Sequence, residues 1–594
     1  MDSNIFEQLN KQQAEAVKHT EGPSIILAGA GSGKTRVLTT KVLYLIKEKQ
    51  VDPSHIAMMT FTNKAAGEMT KRVGHPLGFI GTFHSFCAAG LRRYGRHVGL
   101  DPNFVIYDED DAISLIKMIL KEINPTKSIT PSFIKHQISA AKDNLIESSE
   151  YIKFSDSRND EIIAKVYFEY QKRLEKNNAA DFDDLIFKGV KLLRDNPDVL
   201  KKYNERLTYI LVDEFQDTNA AQYLLSKYLA RKTNNITVVG DFSQSIYSWR
   251  GADIKNLKRF EKDFQVTKVF HLEENYRSTQ NVLNFAYEII THNETHPVLE
   301  LFTQNDKGEE VIIQELENEE AEAIFVATEV EKISKQIDYE KIAILYRINA
   351  QSRAIEEAFL HYGIPYVLIG GTRFYERKEV KDVLSYIRLV VNPEDEISLE
   401  RINKLGKQRF EKFKHFFGEV KGNHENYSTD ELINKIFAAT GYLNLYDKDD
   451  PEDYARLENI KELRSVAVRF PDVNEFLQQV ALVESEYSQS EKSKKDKSGV
   501  RMMTLHQAKG LEFAHVFIVG VEEGLLPHSR ALYDQHELEE ERRLLYVGVT
   551  RAEKKLYLTH AQRRFMFGRS TYGQISRFIN QKKDEAEPGF IRTF

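Results

Sequence analysis

Cysteine is nearly absent: Cys87 is the only one among 594 residues. That excludes an internal disulfide and any metal knuckle built on several thiolates. Tryptophan is as scarce, with Trp249 alone. No window approaches ~18 uninterrupted apolar residues, so no segment reads as a membrane span. The N-terminus MDSNIFEQLN has no basic region followed by an apolar run, which argues against a secretory signal. Positive charge is not in excess either. The 83 basic residues face 90 acidic ones, for a net charge of −7. A uniformly basic nucleic-acid binder is thereby excluded, and any polyanion site has to be a local groove. There is no internal repeat and no long low-complexity tract. What remains is 41% hydrophobic, 29% charged and 11% aromatic. This composition predicts a large cytoplasmic protein with ample core, and roughly four domains at about 150 residues each.

Short apolar runs alternate with longer helical patterns. Ser24–Ala28, Ile56–Phe61, Tyr209–Asp213 and Ile236–Asp241 are continuous rather than alternating, and each precedes a loop and a helix. Such strands suit a parallel sheet covered on both faces. A second set comprises Ile342–Tyr346, Tyr366–Ile369, Val500–Leu505, Val516–Val521 and Leu556–Thr559. Two α/β cores are the simplest account. The stretches 86–180 and 376–494 read as mainly helical insertions into them. Ser488–Gly499 reads as a flexible linker. The acidic run Glu315–Glu322 reads as a solvated helix start. Asp181-Phe182-Asp183-Asp184 opens a helical pattern, where clustered acids are cap and dipole chemistry rather than a nuclease metal site.

The run SIILA leads into Gly29-Ala30-Gly31-Ser32-Gly33-Lys34-Thr35 and then a helical pattern. A Gly-rich turn before a helix lets backbone N–H groups converge on phosphate oxygens. Lys34 can reach the β and γ phosphates, and the Thr35 hydroxyl can ligate Mg²⁺. The strict pattern wants Gly where Ala28 stands. The run YILV ends in Asp213 and Glu214. An Asp at the tip of a buried strand can hold the Mg²⁺ shell, and the next Glu can accept a proton from attacking water. Charge that builds on the γ-phosphate needs cations. Arg277 and Arg551, both in segments given to the second core, are candidates.

These segments join others in a fixed order. They run LNKQQAEAV from Leu9, AGAGSGKT from Ala28, TFTNKAA from Thr60, GTFHSF from Gly81 and VDEFQD from Val212. GDFSQSIYSWRGAD from Gly240, LEENYRS from Leu272, ILYRINAQSR from Ile344, TLHQAKGLEF from Thr504 and EEERRLLYVGVTRA from Glu539 complete the series. In this the chain resembles the superfamily 1 DNA helicases of the UvrD/PcrA/Rep type, over almost its whole length. The resemblance implies an α/β fold of two RecA-like cores. One spans 1–85 and 181–270 with insertion 86–180; the other spans 271–375 and 495–594 with a short insertion 376–494.

The resemblance also implies roles. ATP with Mg²⁺ would bind at Ala28, Gly29, Ala30, Gly31, Ser32, Gly33, Lys34, Thr35 and Arg36. Gln13 would read the adenine edge, Tyr276 would stack on it, and Glu512 would touch the ribose. Gln244 would sense the γ-phosphate. Arg277 and Arg551 would be arginine fingers, and Thr35 with Asp213 the metal ligands. Phe61, His84, Tyr247, Trp249, Arg250, Arg347, Asn349, His506 and Phe567 match family positions that contact DNA. Stacking aromatics among basic groups suit single-stranded DNA. The implied partners are single-stranded DNA and single-strand/duplex junctions, and a protein partner in repair, replication or defence, without a membrane.

Two departures stand out. Ser243 occupies a position where relatives often carry an acid. The stretch INKLGKQRFEKF stands where relatives usually place a Gly-Ile-Gly turn used against duplex DNA. With Phe594 as the last residue, no C-terminal nuclease domain is expected. Three readings stay open. One is an ATP-driven 3′-to-5′ translocase that unwinds duplexes. The second is a translocase that strips proteins or serves a larger complex. The third is a nucleotide-gated switch, against which the Asp213-Glu214 pair and the arginines argue.

Overall fold

The computed structural model describes residues 5–123, 129–154, 158–421, 423–492, 498–566 and 569–580. Its contacts divide the chain into two units. The first is Met1–Ser278 with Asn293–Asp306, and the second is Thr279–His292 with Lys307–Phe594.

The first unit is built on a six-stranded parallel sheet of β1 (Ser24–Ala28), β2 (Ile56–Thr60), β3 (Phe79–Thr82), β4 (Tyr209–Val212), β5 (Ile236–Gly240) and β6 (Lys268–Leu272). The order is β3-β2-β4-β5-β1-β6. Alternate residues of β1 serve different cores: Ile25 and Leu27 join one cluster, Ile26 and Ala28 the other. Continuous apolar sequence is the signature of a strand buried on both faces. Helices α1 (Lys11–Lys18) and α2 (Lys34–Lys47) supply one of these cores. The insertion carries α3 (Pro131–Asp143) and has its own apolar core around Ile116, Ile138 and Tyr167. Helix α4 (Phe182–Asp195) follows it, and α5 (Ala220–Ala230) follows β4. Asp181 closes a capping box with Asp184 at the start of α4, as the acid cluster predicted.

The second unit repeats the plan. Strands β7 (Ile312–Leu316), β8 (Ile342–Tyr346), β9 (Tyr366–Leu368), β10 (Val500–Thr504), β11 (Phe513–Ile518) and β12 (Ala552–Ala561) form a parallel sheet in the order β7-β12-β11-β8-β10-β9. Helices α6 (Glu319–Ser334), α7 (Pro451–Arg469) and α8 (Gln535–Val549) belong to this unit. The helical insertion has a separate core that includes Tyr386, Phe413, Leu463 and Phe476.

Three expectations change. The acidic run is not a solvated helix start. Its first residues lie in β7, and in α6 Glu319 and Glu322 are buried, paired with Arg469 and Arg564. The expected linker is partly helical, since a helix extends to Lys492; residues 493–497 lie outside the described residues. Residues 271–278 fall with the first unit, because β6 joins β1 in parallel register, with Ala28 opposite Leu272. Among the described residues no helix is long and apolar enough to cross a membrane.

Candidate functional site

Strand β1 delivers the chain into Gly29–Gly33, and α2 begins at Lys34. The turn takes left-handed backbone at Gly31 (φ 65°) and Gly33 (φ 80°), which a side chain would strain. Space is short as well: a Cβ on Gly31 would lie 2.6 Å from Asn275 Nδ2. Gly33 is the N-cap of α2, and no side chain caps that helix. Its first-turn amides and positive dipole end are therefore suited to an anion. Lys34 Nζ folds back over the loop, 3.4 Å from Gly29 O and 3.9 Å from Asp241 Oδ2.

Asp213 stands at the exit of β4, and Thr35 Oγ1 donates to its Oδ2 at 3.4 Å. Burial, then the adjacent Glu214, push the Asp213 carboxyl up to about 7, against the pull of Lys34. A buried acid beside a hydroxyl is a hard-oxygen donor pair that fits Mg²⁺. Among the described residues no group of three or more His, Cys, Asp and Glu could hold a metal. A cation here would thus complete its shell with phosphate and water oxygens.

Glu214 takes a left-handed backbone (φ 52°), a strain that concentrates at functional sites. Its Oε2 accepts from Gln216 Nε2 at 2.6 Å, and Gln216 Oε1 accepts from Asp241 N at 3.0 Å. Asp241 Oδ2 in turn accepts from Gln244 Nε2 at 2.8 Å. A polar chain thus runs from the exit of β4 to the exit of β5. Sequence reasoning picked out its ends, Glu214 and Gln244. It missed the links, Gln216 and Asp241, although both lie inside the quoted motifs.

On the other side of the loop, Asn10 caps α1 in a box with Gln13, and buried Gln13 donates to Ser32 O at 2.9 Å. Tyr276 is 42% exposed. Its hydroxyl accepts from Asn10 Nδ2 and donates to Glu274 Oε2, each at 3.0 Å. The Arg36 guanidinium lies 5.9 Å from the Tyr276 ring centroid. The segment 274–277 is laced to the phosphate loop, with Asn275 Nδ2 donating to Ala30 O at 2.7 Å and Tyr276 N to Gly31 O at 3.1 Å. Arg277, expected in the second core, therefore stands beside the loop within the first unit. Asn275, which does the lacing, went unremarked in the sequence.

In the second unit Arg551 is buried at the end of α8. It donates from Nε to Val547 O at 2.9 Å and from Nη1 to Leu511 O at 3.1 Å. A cation at a helix C-terminus complements the exposed carbonyls. The Leu511 contact brings it near Glu512, which is exposed.

The loop after Gln244 displays aromatic surface. Tyr247 and Trp249 meet edge to face at 6.5 Å, and the Arg250 guanidinium covers Trp249 at 4.5 Å. Trp249 is 42% exposed, so it does not serve as a core filler. Ser245 Oγ ties the root of this loop to Gln216 O at 3.0 Å. Phe61 packs edge-on against Phe83 at 5.7 Å. His84 faces Phe182 at 5.9 Å, and burial draws its pKa down against the opposing Asp183. Arg347 is engaged by Glu541 through three contacts of 2.7–3.0 Å. Asn349 opens a short turn and accepts on its backbone from Arg377 Nη1 at 3.1 Å. His506 lies half-buried after β10. Phe567 lies outside the described residues.

Comparison with known proteins agrees with this geometry. Residues 9–265 match the UvrD/REP helicase N-terminal domain, and 270–415 and 407–563 match the UvrD-like helicase C-terminal domain. The chain is 42% identical to the ATP-dependent DNA helicase PcrA of Bacillus subtilis (strain 168), over 98% of this chain and 87% of that protein. It is 41% identical to the PcrA helicases of Staphylococcus epidermidis (strain ATCC 12228) and Staphylococcus aureus (strain NCTC 8325), over 97% of this chain and 86% of each relative. The Bacillus match runs over 642 positions against the 594 residues of this chain. The relative thus holds internal segments without a counterpart here.

Proposed function

Because the chain belongs to the UvrD/Rep helicase family, we propose that its nucleotide site and its aromatic loop form one motor that travels 3′ to 5′ along single-stranded DNA. The protein is an ATP-hydrolysing DNA helicase. The observation that carries the finer reading is the polar chain Glu214–Gln216–Asp241–Gln244. Gln216 also holds the root of the Tyr247–Trp249 loop through Ser245. A change at the γ-phosphate felt by Glu214 or Gln244 thereby reaches the residues that stack on bases.

In this reading the Gly29–Gly33 amides and Lys34 cradle the phosphates. Glu214 orients the attacking water and takes its proton. Thr35 and Asp213 would hold Mg²⁺, which would supply positive charge against the charge that develops on the phosphates. Arg277, already beside the loop, and Arg551 each add positive charge that counts most in the transition state. Tyr276 and Gln13 take the adenine, and Glu512 the ribose. Gln13 gives up its bond to Ser32 O when nucleotide enters. Phe61, His84, Tyr247, Trp249 and Arg250 in the first unit contact the strand, as do Asn349, His506 and Phe567 in the second. Arg347, held by Glu541, serves the second unit's contacts from behind.

The deciding experiment is steady-state ATP hydrolysis with and without oligo-dT. Stimulation supports the motor, and indifference to DNA overturns it. A second reading is a translocase that strips proteins or works within a larger repair, replication or defence complex. The internal segments missing relative to the Bacillus helicase favour it. Displacement of a 3′-tailed duplex by the protein alone separates the two.

A further inference from the structure

Helix α3 of the first insertion ends at Asp143, and its last turn is bolted in place. Buried Lys142 donates to both oxygens of Asp181 at 2.9 Å and lies 3.0 Å from Asp184. Tyr170 adds its hydroxyl to Asp181 at 2.8 Å. A buried, fully bonded ion cluster fixes geometry whatever its net contribution to stability. Two residues later the chain turns away at Leu145, in a left-handed conformation (φ 60°).

Asp143 is therefore a carboxylate on a rigid post, and it faces two elements of the motor. Its Oδ1 accepts from Asn219 Nδ2 at 2.5 Å. Asn219 is the N-cap of α5 and follows directly on the segment Asp213–Thr218. Asp143 Oδ2 lies 2.4 Å from where a Cβ on Gly251 would sit, so only glycine, at φ 82°, passes so close. Gly251 N donates to Ser248 O at 2.8 Å and Ala252 N to Tyr247 O at 3.1 Å, which closes the turn that carries Trp249. Asp253 N donates to Thr218 O at 3.0 Å, so the same two segments also meet directly.

We propose that Asp143 is a positioning residue that locks the aromatic loop to the exit segment of β4, through Gly251 and Asn219, and so makes the helical insertion part of the response to single-stranded DNA. The inference rests on the motor reading given above. The charged groups that face Asp143 are Asp183 on α4 and Lys135 on α3; α5 contributes the neutral Asn219 amide, and the loop its backbone at Gly251. Burial first, then Asp183, push the Asp143 carboxyl up to about 7, against Lys135 and the Asn219 hydrogen bond. The anionic form, the better acceptor for Asn219, therefore prevails only as pH rises through that value. DNA phosphates near the loop raise it further.

Trp249 is the only tryptophan and lies two residues from Gly251, so its emission reads the loop directly. In the DNA-free protein that emission is expected to titrate with a midpoint near the Asp143 value of about 7. Asp143→Asn and Asp143→Ala should both abolish the transition. Both remove a charge that burial disfavours, so both are expected to fold. At pH 8 the oligo-dT-stimulated ATPase of Asp143→Asn should fall about tenfold, the worth of a charged hydrogen bond, with the DNA-free rate unchanged. Wild-type stimulation should decline from pH 8 to pH 6, and that of the variant should stay flat. A transition that persists in both variants, or stimulation within about twofold of wild type, overturns the proposal. Absence of DNA stimulation in the wild type would defeat the motor reading instead, and the emission titration would still decide whether Asp143 holds the loop.

Discussion

Two interior strands, β1 in the first sheet and β8 in the second, end in loops that treat their backbone donors in opposite ways. After β8, Arg347 N and Ile348 N both donate to Gln351 Oε1, at 3.0 and 2.9 Å. Gln351 itself donates to Val519 O at 3.1 Å, and the Arg347 guanidinium is clamped by Glu541. That corner is sealed by its own side chains. After β1 the loop is glycine-rich, and the side-chain amides of Gln13 and Asn275 give their donors to Ser32 O and Ala30 O rather than accepting from the loop. One strand plan thus yields a receptor for anions in one sheet and a closed joint in the other. The difference lies in a few residues after the strand, not in the sheet.

The contrast breaks most visibly at Lys34. Lys34→Ala should lower ATP turnover by about 10³-fold or more while oligo-dT still binds, measured as phosphate release and DNA anisotropy. Retained hydrolysis would mean the β1 loop is not the receptor. Glu214→Gln should lower turnover by about 10²–10³-fold and leave affinity for a fluorescent ATP analogue nearly unchanged. A near-normal rate would move the base elsewhere. Arg551→Ala should cut kcat by about 10²-fold, more than it raises KM, because its charge matters in the transition state. The reverse pattern would make it a ground-state binding residue.

At the sealed corner the expected damage is to stability. Arg347→Ala leaves buried Glu541 without its partner, which costs about 3 kcal/mol in a denaturant melt. Burial alone would push Glu541 up, but Arg347 overrides it and holds the carboxyl below its usual range. A depressed acid stabilises the fold above its unfolded pKa, and that contribution disappears as pH falls through the lower folded value. Wild type should therefore lose stability below about pH 4 more steeply than Glu541→Gln, which has no such charge to lose. If Arg347→Ala melts like wild type but binds oligo-dT weakly, Arg347 is a DNA contact and the corner is not sealed.

The sequence made this architecture legible where strands are buried on both faces. β1, β2, β4, β5 and β8 are continuous apolar runs for that reason. Two edge strands escaped: β6 (KVFHL) and β7 (IIQEL) alternate or face solvent on one side, so no run marks them. At the site, the placement of Lys34, Thr35, Asp213 and Glu214 was readable because each follows a buried strand within a few residues. Asn275 was not, since the carbonyl it binds, Ala30 O, lies 245 residues away. The clamp of Arg347 by Glu541 spans 194 residues and escaped for the same cause. The acidic run was misjudged because burial of Glu319 and Glu322 depends on Arg469 and Arg564, which the local pattern cannot reveal.

The smallest expected effect tests what the open loop is for. If the β1 unit answers to nucleotide, its aromatic loop should answer to DNA, and Trp249 can report both. Oligo-dT should change its emission saturably, and the apparent affinity should fall as salt rises, because phosphate contacts release counterions. Trp249→Ala should cost about 1–3 kcal/mol in oligo-dT binding, the range for one stacked base, with little change in the DNA-free ATPase rate. Arg250→Ala should cost less and flatten the salt dependence by about one unit of slope, since it removes one cation rather than a stacking face. An emission spectrum indifferent to saturating DNA would place the bases away from Trp249. The exposed ring would then need another partner, and the link from Gln216 to this loop would lead nowhere in the motor.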